Sequence, residues 1–230
     1  MINRRIVVVG ASRGIGASLV RLFGSDKCNE ILALSRNVDA LSLAFGEYEN
    51  VYTGHLDLSD QIRKNASALF EKFGRIDVLI NNAGYLVNKP FSELTHQDIS
   101  TSYQTNVIGV METVQAALPF LSESGAHIVN ISSMGGFQGS VKFPGLAAYS
   151  TSKAALCSFT ELFAEEFKSS KTRMNCLCLG AVQTEMLEEA FPGYQAPMNA
   201  DEMANFIADF ALRGHQWMNG KILPVSLSTP

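Results

Sequence analysis

The chain has 230 residues, 47% of them hydrophobic and 17% charged, with a formal net charge of −4. That length suffices to bury a core in one α/β domain spanning residues 1–230, and an acidic balance without a clustered basic face excludes a nucleic-acid binder. No apolar span is long enough to cross a membrane, and the four cysteines lack disulfide-scaffold or zinc spacing, so buried thiols in a reducing cytoplasm and no metal are expected.

Short β-branched runs alternate with helical patterns from the start. Ile6-Val7-Val8-Val9 reads as a strand over 5–9 and runs into Gly10-Ala11-Ser12-Arg13-Gly14-Ile15-Gly16, which opens a helix over 14–24. Glycines there permit a tight turn and let backbone N–H groups approach a pyrophosphate at the helix N-terminus. Gly10-Ala11-Ser12-Arg13-Gly14 also fits the G-x-S-x-G elbow of hydrolases. That elbow normally follows several strands, and only His215 comes late enough to complete a triad attractively. The next strand, 30–35, ends in Arg36 rather than in an acid that would hold a free 2′-hydroxyl, as in NAD. Arg36 and Arg13 together suit a 2′-phosphate and favour NADP, unless both are solvated surface groups.

The pattern continues with a helix over 38–45, a strand over 50–54, a helix over 59–73 and a strand over 77–81. Asp57-Leu58-Ser59-Asp60 has the look of a helix N-cap. A helix over 95–121, a strand over 126–131, a helix over 147–170, a strand over 174–179, a helix over 200–213 and a strand over 221–225 complete a doubly wound parallel sheet of about seven strands with helices on both faces. Its ligand is expected beyond the carboxyl ends of the strands, at the switch in strand order.

The richest cluster lies in the fifth of these helices. Tyr149 and Lys153 stand four residues apart, on one helical face, where an ammonium near a phenol favours the ionised phenol and suits it to proton exchange with a carbonyl or alcohol. Tyr85 and Lys89 share the spacing, but Gly84 before them and Pro90 after them make that segment a loop. Cys176 and Cys178 point to the same side of their strand.

Taken together, Gly10-x-x-x-Gly14-Ile15-Gly16, Asn81-Asn82-Ala83-Gly84, Asn106, Ser133 and Tyr149-x-x-x-Lys153 resemble the short-chain dehydrogenase/reductase family over nearly the whole chain. The resemblance implies a Rossmann-like fold and an NADP(H)-dependent oxidoreductase that reduces a small-molecule ketone or aldehyde, reversibly, as a homodimer or homotetramer. It makes Tyr149 the proton donor, Lys153 the group that lowers the Tyr149 pKa and holds the nicotinamide ribose, Ser133 the partner of the substrate oxygen, and Asn106 the anchor of a water leading to Lys153. Asp57 matches the adenine-binding acid, with Leu58 beside it. Asn82, Ala83 and Gly84 match the segment lining the adenosine side, and Val182 and Thr184 are carried over as cofactor contacts, Thr184 at the carboxamide. The alternative from another class is a dinucleotide-binding regulatory or scaffold protein with little turnover.

Several positions depart from the family pattern. Val9 stands for the usual Thr or Ser, Leu179 for the proline before Gly180, and the acidic-Gly-Gly finish of the tetramer contact is missing. Freed from proline, Leu179 is expected to loosen the floor under the nicotinamide. The interval from Ser133 to Tyr149 carries an extra stretch, Ser140–Pro144, whose Lys142 and Phe143 are either substrate contacts or solvated loop. The apolar segment from Glu185 to Met198 reads as a lid or as a cap packed on the core.

Overall fold

The computed structural model describes residues 3–227. Seven strands, β1 (Arg5–Val9), β2 (Glu30–Ser35), β3 (Val51–His55), β4 (Val78–Asn81), β5 (His127–Ser133), β6 (Arg173–Leu179) and β9 (Ile222–Val225), form one parallel sheet in the order β3-β2-β1-β4-β5-β6-β9. Both faces are covered, so the central strands are apolar throughout instead of alternating. Ile6, Val8, Ile31, Ile80 and Leu177 face α1 (Gly14–Gly24), α2 (Val38–Phe45) and α8 (Ala200–Arg213). Val7, Val9, Leu32, Leu79 and Ile128 face α3 (Ile62–Phe73), α5 (Gly109–Ala117) and α6 (Ala147–Glu166). Each such buried side chain contributes about 1.5–3 kcal/mol of transfer free energy.

Strand order reverses between β1 and β4. The two strands stay paired as far as Val9 and Asn81, while α1 after the first and α5 beyond the second pack on opposite faces, and the glycine loop after β1 lies against Asn82 and Ala83 after β4. The switch in strand order, beyond which a ligand is expected, therefore falls at the glycine loop.

Three expected helices differ in their limits. The one expected over 59–73 begins at Ile62, because the Asp57 carboxylate takes the N–H and O–H of Ser59 in a local turn and Gln61 stands at φ 44°. Asp57 is thus not the N-cap of α3. The one expected over 147–170 stops at Glu166, and Ser170 Oγ donates to the Phe167 carbonyl in the turn beyond it. The stretch expected as one helix over 95–121 is α4 (His96–Tyr103), a π-helical turn over Gln104–Ile108, α5 and a short 3-10 turn over Leu118–Phe120. A π turn inserts a residue into the helix and shifts the faces on either side of it, and such turns are frequent at functional sites.

Two short parallel strands, β7 (Val182–Gln183) and β8 (Met198–Asn199), have no strong sequence signal. They bracket α7 (Glu185–Ala190), and the Gln183 side chain accepts from Ala196 N–H.

Candidate active site

The glycine loop is shaped by contacts that exclude side chains. Gly10 has φ 85°, and a Cβ there would lie 2.6 Å from the Ala83 backbone; at Gly16 it would lie 2.0 Å from the Gly10 carbonyl oxygen. Gly14 has φ 53°. The Gly10 and Ala11 N–H groups donate to Leu34, and Asn82 Nδ2 donates to the Gly10 carbonyl at 2.8 Å. Asn82 supplies the brace that Val9, lacking a hydroxyl, cannot. The Val9 carbonyl meanwhile accepts from the N–H groups of Asn82 and Ala83. Ser12 is half-buried, Ile15 packs against the core, and α1 starts with no side-chain cap on its first N–H groups. A backbone cradle that a Cβ would fill, at a helix N-terminus, fits a dinucleotide pyrophosphate.

Beside this cradle, past β2, an open depression of about 600 Å³ is lined by Arg36, Asn37, Val38, Asp39 and His55. Arg36 is exposed, and Asp57 lies close enough to feel its charge. Burial alone would raise the Asp57 pKa, but hydrogen bonds from Ser59 and the charge of Arg36 outweigh it and leave the carboxyl lowered. Leu58 turns its side chain into the core, and its carbonyl accepts from Gln104 Nε2. Arg13 does not stand free toward this depression: its guanidinium reaches across the loop to Glu189 of α7 at 2.6 Å.

On the other side of the switch point, Tyr149 and Lys153 rise from the first turns of α6. The Tyr85 and Lys89 pair lies in an irregular segment, with Lys89 bonded to Asp98. Tyr149 is half-buried with its hydroxyl near Ser133, whose Oγ accepts from Gly135 N–H. Burial raises the phenol pKa, and Ser133 opposes the rise. Lys153 was expected to lower it; instead Nζ stands 6.0 Å from the Tyr149 ring centroid and donates to the Ile131 carbonyl at 2.7 Å. Burial pushes Lys153 itself down to about 8, against the pull of the nearby thiols of Cys176, Cys157 and Cys178.

Asn106 is fully buried in the π turn, and its side chain acts as a tie. Oδ1 accepts from Tyr85 N–H, while Nδ2 donates to the Tyr85 carbonyl and to Ser152 Oγ, each at 2.9 Å. One amide thereby fixes the loop after β4 to α6. A Cβ on Gly84 would lie 3.5 Å from Lys153 Nζ and 3.6 Å from Asn106 Oδ1, so the missing side chain keeps open the space in front of the lysine.

Val182 is buried in the core, and Thr184 caps α7 through Leu187 N–H and approaches Gly14. Leu179 does not loosen this floor: it is held in the ladder between Ser133 and Val225, and Gly180 N–H donates to Val225. Lys142 folds back on its own loop, donating to the carbonyls of Gly135 and Phe137 and to Ser140 Oγ, while Phe143 is exposed.

Two polar clasps of α7 have no sequence signal: Glu189 on Arg13, and Asn88 Nδ2 on the Ala190 carbonyl at 2.9 Å. A third feature had a partial one. Cys157 follows Lys153 by one helical turn and meets Cys176 and Cys178 beneath it.

A sequence profile described as short chain dehydrogenase matches residues 4–195. The chain is similar to an uncharacterized oxidoreductase of Methylorubrum extorquens, with 31% identity covering 96% of this chain and 95% of that one. It is also similar to the 3-oxoacyl-(acyl-carrier-protein) reductase of Chlamydia trachomatis, at 25% identity over 98% and 96% of the two chains. A short chain dehydrogenase of Burkholderia cenocepacia, solved in complex with NADP, superposes with a TM-score of 0.86 at 26% identity, over 97% of this chain and 96% of that one. The protein belongs to the short-chain dehydrogenase family of oxidoreductases. No helix among the described residues is long and apolar enough to cross a membrane.

Proposed function

We propose that the protein is a single-domain NADP(H)-dependent reductase of a ketone or aldehyde, reversible as an alcohol dehydrogenase. The observation that carries this reading is the buried Lys153 ammonium on the same helix as Tyr149, whose hydroxyl is near Ser133, beside a glycine cradle at the switch point. When bound, the dinucleotide supplies hydride from its nicotinamide C4. The chain's own residues do the rest.

A substrate carbonyl oxygen set between Ser133 Oγ and the Tyr149 hydroxyl accepts from both. As hydride reaches the carbonyl carbon, that oxygen gains charge and Tyr149 gives up its proton, so carbonyl, hydride and proton become an alcohol. In the reverse direction the phenolate takes the proton back. Lys153 spends one of its three donors on Ile131; the others are available to ribose hydroxyls in the space that Gly84 leaves open. Held by the Ile131 carbonyl, the cation serves the ribose side of the site, and Ser133 is the group that opposes the rise in the Tyr149 pKa. Asn106 holds the segment that walls this space, and it is the anchor proposed for a water leading to Lys153.

Arg36 on the open depression supports NADP over NAD, and the NADP complex of the Burkholderia protein agrees with it. Asp39 on the same wall is the local counterweight. The proposal extends to a cytoplasmic homo-oligomer acting on a small molecule.

The test is to titrate NADPH and NADH by nicotinamide fluorescence, then screen ketones and aldehydes for loss of nicotinamide absorbance. Tight NADPH binding with turnover of a carbonyl compound is expected. Absence of binding by both dinucleotides defeats the proposal, and binding without turnover across the screen favours the regulatory role.

A further inference from the structure

The mechanism leaves one buried reactive cluster unused. Cys157 of α6 and Cys176 and Cys178 of β6 bring their sulfurs together, Cys157 Sγ lying 3.6 Å from Cys178 Sγ and 3.9 Å from Cys176 Sγ. All three sulfurs lie within 4.8 Å of one another, and all three residues are buried. Two of them come from alternate positions of one strand, whose side chains share a face, and the third comes down from the helix that packs on it.

We propose that these three cysteines form a structural zinc site that fastens α6 to β6 one helical turn below Lys153. Zinc holds thiolates at about 2.3 Å, and a tetrahedral arrangement then separates the sulfurs by about 3.8 Å. The 3.6 and 3.9 Å separations bracket that value without a ligand being drawn in. A disulfide would join two sulfurs and leave the third, yet the separations single out no pair. The fourth corner faces Ser132 Oγ, 3.5 Å from Cys157 Sγ.

Charge balance favours a divalent ion, and the all-sulfur donor set favours zinc among them. Three thiolates and Zn²⁺ sum to one negative charge, and the Lys153 ammonium offsets it. Its Nζ is bonded to the carbonyl of Ile131, the β5 residue in register with Leu177, which lies between the two strand thiols. Monovalent copper would leave two negative charges in a pocket walled by Met134, Phe137 and Ile222, where uncompensated charge is costly.

The experiment uses the reduced, metal-stripped full chain. Co²⁺ is added as the spectroscopic probe while the thiolate-to-cobalt charge-transfer band is followed, and Zn²⁺ is then added to displace it. One equivalent of each is expected, with three thiol protons released per zinc and a thermal midpoint that rises with zinc concentration. Cys157→Ala and Cys178→Ser are each expected to weaken zinc by more than about 100-fold, beyond the loss that a neighbouring residue causes. As a measurement that needs no variant, zinc should slow alkylation of the three cysteines in partial denaturant, where the metal-free protein opens and is labelled. The proposal is overturned by the absence of a thiolate band, by binding unchanged in both variants, by binding of Cu⁺ but not Zn²⁺, or by loss of two thiols in air with no metal added.

Discussion

At the carboxyl end of the sheet the fold buries Lys153, and at the amino end it buries His127. Burial lowers both, Lys153 to about 8 and His127 to about 4. The surroundings differ. His127 uses both ring nitrogens, Nδ1 on the Ala211 carbonyl and Nε2 on Asn175 Nδ2, and Asn175 also donates to Met218, so β5, β6 and α8 are locked together. With donors and acceptors matched inside the protein, the group does structural work. Among the described residues Lys153 Nζ donates to the Ile131 carbonyl alone, and beside it the loop after β4 carries a glycine, Gly84, with no side chain. A buried cation with donors to spare beside a phenol is arranged for a ligand.

The comparison breaks first at Tyr149. Tyr149→Phe removes the proton and keeps the ring, so carbonyl turnover should fall by about 10²–10⁴-fold, while NADPH affinity and thermal midpoint stay near those of the parent. A loss of cofactor binding of similar size would mean that the hydroxyl shapes the cradle instead.

At the other end, His127→Ala should act in the opposite way. It strands the Ala211 carbonyl and the Asn175 amide, and a cost of about 2–4 kcal/mol in chemical unfolding is expected with turnover per folded molecule unchanged. The pH dependence has a definite sign. The unfolded imidazole takes a proton near 6.5 and the folded one near 4, so the stability due to neutral His127 is complete above 6.5 and lost as pH falls to 4. About 3 kcal/mol is involved, and the alanine variant should lose that slope. A parent protein with flat stability between pH 6.5 and 4 would remove the structural role given to His127.

Much of the fold could be read from the sequence, because burial on both faces forces continuous apolar strands, and glycines and caps punctuate the helices between them. The strands of the main sheet and the helices over 14–24, 38–45 and 200–213 follow from that alone. The π turn at Asn106 does not, since a one-residue insertion leaves the helical pattern nearly unchanged on either side. The candidate site divides similarly. Tyr149, Lys153 and the glycine loop carry local spacing, whereas the Arg13–Glu189 pair and the three-cysteine cluster join segments far apart in sequence and depend on how β6, α6 and α7 pack. The position of the ammonium relative to the phenol was also beyond reach of spacing, because the Ile131 carbonyl competes for it.

Lys153 gives the next, smaller effect. Only its cation serves the ribose, so NADPH affinity should be steady below pH 8 and weaken about tenfold by pH 9, as the ammonium loses its proton. Stability moves the other way: the unfolded lysine holds its proton to about 10.5, so the burden of burying the cation is relieved as pH rises from 8 to 10.5. Lys153→Met should remove both trends. Persistence of the affinity trend in that variant would assign it to another group.

The smallest effect belongs to the exposed rim of the carboxyl end. Arg36 and Arg13 were expected to act alike on a 2′-phosphate, yet Arg13 is held by Glu189 while Arg36 stands exposed on the open depression. A guanidinium facing a dianion gains from charge-assisted hydrogen bonds, but its exposure leaves it screened by salt, so Arg36→Ala should weaken NADPH relative to NADH by roughly fivefold, and less at high ionic strength. Asp39→Asn, on the same wall, should shift the ratio the other way by removing a like charge. Arg13→Ala should leave the ratio nearly unchanged, because its partner is already the carboxylate of α7. A larger loss of preference in the Arg13 variant than in the Arg36 variant would show that the phosphate takes Arg13 away from Glu189, and that α7 moves when the cofactor binds.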